Sequence, residues 1–341
     1  MHKEIGIDLG SAVMRVSTAE EGVIVCEPSV VAIGRENGRV QFVGDDAQRE
    51  SQDSAKNLHL VYPLKEGIVA NEGAAARVII SHALRRTCGN LIIKPRLLLG
   101  IPFSISEEEE NVLEWTGVQA GARETFLVYT PVAALVGLSL PIDSAVMIVD
   151  IGASGTSLMV TGGGKILYKN TVSVGGDSFS AAIVAYLMRT QKMKISIRSA
   201  EVVKKRIGTV WINRENRSLD IKGKRIDNGE PITLRLSSQE MFEALEEPTA
   251  RLLAAICEAI EQIPSQFVGE IFHRGILLCG GGACLDGLDK MISGVTGVNA
   301  RLVDAPTEVV ALGLAKILAD LPTSMKNEKL NLSQRCMRGD F

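Results

Sequence analysis

Several classes of protein are excluded by what the 341 residues lack. The six cysteines (Cys26, Cys88, Cys257, Cys279, Cys284 and Cys336) form no C-x-x-C pair, and no charged-then-apolar leader follows Met1. Both observations speak against a secreted disulfide framework and predict reduced, cytosolic thiols. No apolar run approaches the roughly 18 uncharged residues that a spanning helix needs, so any membrane contact is expected to be peripheral. The four histidines show no metal-ligand spacing among themselves or with the cysteines, and no structural metal is expected. A formal net charge of -3 provides no long-range attraction for nucleic acid, which is not an expected partner. What is present is ordinary globular composition, 46% hydrophobic and 23% charged, over a length that argues for two domains.

The most informative feature is a pattern that occurs twice. Ile5-Gly6-Ile7-Asp8-Leu9-Gly10-Ser11 near the start is echoed by Met147-Ile148-Val149-Asp150-Ile151-Gly152-Ala153-Ser154 near the middle. In each copy a short buried-type strand ends in apolar-Asp-apolar-Gly, small residues turn the chain, and a second apolar stretch follows at Val13 to Val16 and at Ser157 to Val160. Small residues at such a turn let backbone N–H groups approach phosphate oxygens, and the preceding aspartate can hold a hydrated divalent cation. Asp-x-Gly at a strand end is also a common structural turn. Two facing copies would clamp a nucleotide phosphate tail. A third cluster, Gly280-Gly281-Gly282, follows an apolar strand and precedes a helical pattern at Leu285 to Ile292, which suits close approach of backbone and nucleoside.

The remainder reads as α/β. Helical periodicity is found at Gly73 to Arg86, Glu107 to Ala120, Asp177 to Arg189, Ser199 to Ile207, Ser238 to Gln262 and Glu308 to Ala319. Strands are expected at Val23 to Cys26, Val30 to Ile33, Arg96 to Ile101 and Phe126 to Tyr129. Ser106 with Glu109 forms a capping box, so the acidic run Glu107 to Glu110 is read as capping rather than catalysis. The polar stretch from Asn213 to Arg225 is expected to be a surface hairpin in a smaller subdomain. The polar, basic tail at 322–341 is expected to be mobile.

In this order the pieces resemble the superfamily of actin, heat-shock chaperone ATPases and sugar kinases, and within it the MreB-like bacterial actins. Beside the two hairpins, the resemblance rests on Glu27-Pro28-Ser29-Val30-Val31-Ala32, Val43 to Ala47, Tyr62 to Ala70, Gly175 to Phe179, Ala200-Glu201, and Gly275 through Leu288. It implies an actin-like ATPase fold with two ribonuclease-H-like domains and smaller inserted subdomains around a nucleotide cleft. The implied divisions are 1–140 with a lid at 32–68, 141–312 with a lid at 181–247, and 313–321 as a helix returning to the first domain. The resemblance further implies ATP or ADP with Mg2+. Asp8 would meet the metal through water, and Asp150 would serve the metal and water side. Gly10, Ser11 and Ala12 would form the first phosphate turn, and Gly152, Ala153, Ser154, Gly155 and Thr156 the second. Glu201 and Lys204 would hold the adenosine over a shelf of Gly281 and Gly282, although without the resemblance that pair reads as exposed charges on a helix.

Three departures from the family pattern cluster at the phosphate tail. Such ATPases place a glutamate or glutamine to orient the attacking water, and in MreB-like chains a glutamate begins a Glu-Pro-x-Ala-Ala segment. Here the segment is Thr130-Pro131-Val132-Ala133-Ala134, and Thr130 cannot take a proton from water at neutral pH. Losing a positioned base typically costs about 10²- to 10⁴-fold in rate, so weak hydrolysis is expected. In the second turn, Ala153 and Ser154 replace glycines, which obstructs close approach unless the turn uses Gly155. In the first, Val13 and Met14 replace polar residues.

Self-association into filaments, attachment to inner-membrane lipid, and contact with the cell-wall synthesis machinery are implied by the resemblance alone. Leu91, Ile92 and Ile93, bracketed by Arg85, Arg86, Lys94 and Arg96, form a candidate membrane loop; the same residues also read as the start of a buried strand. The expected function is a nucleotide-responsive scaffold that organises cell shape or cell-wall synthesis. A slow ATPase polymer, a small-molecule kinase and a chaperone-like ATPase are the alternatives on the same fold.

Overall fold

The computed structural model describes residues 4–52, 56–65, 68–69, 73–89, 93–141, 143–212 and 216–320. Its frame is two five-stranded sheets of the same topology. In the first, strand Glu4–Leu9 pairs antiparallel with Val13–Thr18, which pairs with Gly22–Pro28. On its other side Glu4–Leu9 runs parallel to Arg96–Ile101, and Arg96–Ile101 runs parallel to Glu124–Tyr129. The second sheet repeats the plan around Val146–Ile151, with Thr156–Gly162 and Lys165–Val172 antiparallel on one side and Ile276–Cys279 and Ala300–Leu302 parallel on the other. Strands covered on both faces require continuous apolar runs. Arg96–Ile101 and Thr156–Gly162 are accordingly buried along their whole lengths. The one full charge in those strands, Arg96, is paired with Glu4.

Helices cover the sheets. Ser106 accepts from the Glu109 N–H at 3.3 Å while the Glu109 carboxylate accepts from the Ser106 N–H at 2.9 Å, the reciprocal cap expected for Glu107–Ala120. The other Glu109 oxygen accepts from the Val69 N–H at 2.8 Å, which ties the cap to the short strand Ile68–Val69. Two smaller sheets lie apart from the main pair. Val31–Gly34 stands between Val40–Val43 and Leu58–Val61, and Ser218–Arg225 stands between Met193–Lys194 and Pro231–Ser237.

Three elements differ from the sequence reading. The helical pattern at Ser238 to Gln262 is two helices, Ser238–Ala244 and Glu246–Glu261, broken at the fully buried Leu245, with Pro248 in the first turn of the second where its missing N–H is harmless. The polar hairpin lies further along the chain: its strands are Ser218–Arg225 and Pro231–Ser237, and the bend falls around Asn228 and Gly229, the latter at φ +73°. The helix after the glycine cluster is Leu288–Thr296 rather than Leu285 to Ile292, because Gly287 adopts a left-handed conformation packed against Trp211. The tail at 322–341 lies outside the described residues.

Two helices occupy the space between the main sheets. Thr130–Gly137 and Val309–Asp320 share one apolar cluster with strand residues of both sheets, including Leu98 and Val128 of the first and Val146, Ile148 and Leu277 of the second. The helices cross in backbone contact: a methyl group on Gly313 would run into the Ala133 carbonyl oxygen, and one on Gly137 into that of Val309. Lys316 closes the junction by donating to the Gly137 carbonyl and the Ser139 hydroxyl, each at 2.7 Å. Gly313→Ala is therefore expected to destabilise the protein by about 1–3 kcal/mol through overpacking, although alanine is the better helix former. A thermal melt in which Gly313→Ala matches the native protein would contradict the close crossing.

Candidate functional site

The equivalent ends of the two central strands face each other across a cavity of about 200 Å3, lined by both hairpin turns, by Thr130, and by Gly280 and Gly281. Gly10 is required in the first turn because a Cβ there would lie 2.5 Å from the Val13 carbonyl oxygen, and the Ser29 N–H holds the Ala12 carbonyl at 2.9 Å. Ser11 and Ala12 complete this wall. The second turn closes through a bond from the Gly152 N–H to the Gly155 carbonyl at 2.9 Å, with Ala153 and Ser154 at its tip lining the cavity. It is pinned from behind: the Gly152 and Ala153 carbonyls accept from the Gly176 and Asp177 N–H groups at 3.0 and 2.8 Å, at the start of helix Gly176–Thr190.

Strand pleating decides which side chains reach the cavity. Thr156 does not: it is fully buried and its hydroxyl donates to the Val174 carbonyl at 2.6 Å, so Ser157 lines the wall instead. Met14 likewise points into the first domain's core, and its apolar character removes nothing from the cleft; Val13 and Arg15 line it. Gly281 is open on its Cα side, as a shelf requires, whereas Gly282 packs against Ile151 and does not line the cavity. Gly280, at φ +83° and in contact with Asp150 and the Ile151 carbonyl, is the glycine that fixes the turn.

The two aspartates are the cavity's carboxylates. Burial, reinforced by the neighbouring Asp150 charge and offset in part by Arg15, pushes the Asp8 carboxyl up to about 7. Burial also raises Asp150, against the opposing effect of donors from Thr130 and Cys279. The Thr130 hydroxyl donates to an Asp150 oxygen at 2.7 Å, at the N-terminus of helix Thr130–Gly137. Arg15 and Cys279 were not singled out from the sequence, although register makes both accessible, since Arg15 pairs with Asp8 in the antiparallel hairpin and Cys279 with Asp150 in the parallel pair.

Glu201 and Lys204 stand on helix Ile197–Ile207 and are not among the residues that line the cavity. Glu201 pairs with Lys205 at 2.8 Å. Lys204 donates to the Gly176 carbonyl at 2.7 Å and the Ser180 hydroxyl at 3.0 Å, so its ammonium braces the helix behind the second turn. Burial, with the charges of Asp177 and Glu201, raises the Tyr62 hydroxyl. Of the candidate membrane loop, Leu91 and Ile92 lie outside the described residues; Ile93 is 56% exposed and precedes the strand that begins at Arg96.

Paired sheets of repeated topology around a cleft with an aspartate on each side define an actin-like ATPase fold. The MreB/Mbl protein family profile matches residues 2–326, and the chain belongs to that family of bacterial actin-like cytoskeletal proteins. It is 32% identical over 323 residues to the cell shape-determining protein MreB of Escherichia coli (strain K12), covering 92% of this chain and 93% of that protein. It is 30% identical to the cell shape-determining protein Mbl of Bacillus subtilis (strain 168), covering 94% and 96%. Among solved structures, MreB5 of Spiroplasma citri bound to ADP superposes with a TM-score of 0.86 at 26% identity, covering 92% of this chain and 95% of that one. The MamK double helical filament shares the fold, with a TM-score of 0.81 at 20% identity over 94% and 100% of the two chains.

The raised Asp8 carboxyl has a consequence for stability. Between its ordinary value of 3.8 and about 7 the folded protein holds a proton that the unfolded chain releases, so this group's contribution to stability falls as pH rises through that window. Without nucleotide, Asp8→Asn is expected to raise the melting temperature at pH 8 and to narrow the difference between pH 5 and pH 8. Scanning fluorimetry at both values checks this, and an unchanged difference would count against a desolvated Asp8.

Proposed function

We propose that this chain binds an adenine nucleotide between its two hairpin turns, assembles into filaments, and hydrolyses the nucleotide weakly. The observation that carries the reading is the single cavity formed by two turns of identical register, with Asp8 and Asp150 converging on it. In its favour, MreB5 of Spiroplasma citri has been crystallised with both ADP and AMPPNP. We divide the chain accordingly into domains at 1–140 and 141–312, with lids at 32–68 and 181–247, a returning helix at 313–321 and a tail at 322–341.

The residues present fit such a ligand. Gly10, Ser11 and Ala12 on one side and Gly152 to Gly155 on the other offer backbone and small side chains to the phosphates, with Thr156 supporting from behind. Glu201 and Lys204 would hold the nucleoside over a shelf at Gly281, with Gly282 packed against Ile151. Asp8 would hold Mg2+ through water. When bound, the ion supplies positive charge that offsets repulsion between the phosphates and the two carboxylates. Filling the cleft would draw the flanking small sheets together, and a head-to-tail contact sensitive to that closure propagates without closing on itself.

Weak hydrolysis follows from Thr130. Its hydroxyl proton is committed to Asp150, and its oxygen can orient a water but cannot deprotonate it at neutral pH. With ATP and Mg2+, the native protein is expected to sediment as filaments with little phosphate release, while Thr130→Glu raises release tenfold or more. Brisk hydrolysis by the native protein would instead favour an active polymerising ATPase. Neither binding nor assembly would mean that the fold serves another task, such as a kinase-like or chaperone-like one.

We place the filament at the inner membrane surface, where MreB-like proteins would meet cell-wall synthesis partners. No helix among the described residues is long and apolar enough to cross a membrane. The exposed Ile93, with Leu91 and Ile92 before it and Lys94 after it, is suited to a shallow anchor beside anionic head groups, strengthened when many subunits align. Ile93→Asp is expected to reduce cosedimentation with anionic vesicles severalfold without impairing assembly in solution. Equal vesicle binding by variant and native protein would remove the loop from the membrane contact.

A further inference from the structure

The two hairpins share a register but not a chemistry. Asp8 faces Arg15 across the first, and Asp150 faces Ser157 across the second, so Arg15 and Ser157 hold equivalent positions on opposite walls. Among the described residues lining the cavity, Arg15 is the one cation, beside the two carboxylates. It makes no ion pair or hydrogen bond among those residues, and its Nε is buried without a partner. Nearby on the opposite wall, the Thr171 hydroxyl is also buried and unpartnered. Buried polar groups in folded proteins nearly always find partners, and a buried N–H or hydroxyl left without one is costly. Two such groups lining one cavity point to a ligand rich in acceptors.

We infer that Arg15 is a direct ligand of the nucleotide's phosphate tail, so that the chain carries a fixed positive charge inside its own phosphate site. This rests on the nucleotide reading above and deepens it. The guanidinium fork matches phosphate oxygens bidentately and cannot be deprotonated, unlike a lysine in a desolvated site. Its charge acts in the same place as the divalent cation, offsetting Asp8 and Asp150. Nucleotide binding in this protein accordingly depends less on Mg2+ than it would with a neutral residue at position 15. The preference also scales with phosphate number: ATP gains most from Arg15, ADP less, and adenosine nothing.

The test is isothermal titration calorimetry on the full-length protein, below its assembly concentration, with ATP, ADP and adenosine, in Mg2+ and in EDTA. Arg15→Ala is expected to weaken ATP about 10- to 100-fold, the range for a charge-assisted hydrogen bond, and to leave adenosine unchanged. In EDTA the native protein keeps measurable ATP affinity and Arg15→Ala loses it. Arg15→Lys, which retains the charge without the fork, falls between the two and serves if the alanine variant folds poorly. Equal weakening of ATP and adenosine, or unchanged ATP affinity in Arg15→Ala, would overturn the assignment while leaving the nucleotide site standing. If the native protein binds none of the three compounds, the nucleotide reading fails as well.

Discussion

The crossing of helices Thr130–Gly137 and Val309–Asp320 is the contact on which the rest of the molecule depends. Each sheet could bury one face against its own domain's helices, but the faces turned towards each other need a common filling, and these helices provide it. Glycine at both crossing points brings the backbones together, so the sheets stand close enough for their strand ends to share one cavity. Thr130 begins one of these helices, and Pro306 and Thr307, which line the cavity, immediately precede the other. The same packing that joins the domains therefore sets the floor of the site. A change in the angle between sheets must pass through this junction, because interiors packed to crystal-like density deform between discrete arrangements rather than continuously.

The two turns that form the site are held differently. The second spends its outward carbonyls on the N–H groups of Gly176 and Asp177, so that helix start is occupied by protein and is not free to receive an anion. Lys204 reinforces it from behind. Among the described residues, the first turn is held at its tip by the Ser29 bond alone and carries the one cation that lines the cavity. One wall is thus braced from behind and holds no cation, and the other is held more lightly and carries Arg15.

Much of this is legible in the amino-acid sequence. The repeated apolar-Asp-apolar-Gly pattern identified both central strands and their turns, because buried parallel strands demand uninterrupted apolar residues and tight turns demand small ones. The Ser106 cap was readable because its chemistry is local, contained within four residues. Less local features were misplaced. The break at Leu245 is invisible in a helical periodicity that continues across it, and the hairpin at Ser218–Arg225 was set too early because polarity marks exposure but not strand register. The family resemblance sets Thr156 and Met14 at the cleft, whereas alternation along the strand sends both inward.

The sequence by itself determined the fold class, the duplicated hairpins and the unusual residue at position 130, since these depend on pattern, composition and neighbours along the chain. Only the tertiary structure decided which side chains meet. That Thr130 donates to Asp150, that Cys279 lies beside the same carboxylate, that Gly280 rather than Gly282 carries the turn, and that the Arg15 Nε is buried without a partner all result from bringing together elements distant in sequence. Register fixes such contacts to within one residue, and one residue is the difference between facing the cleft and facing the core.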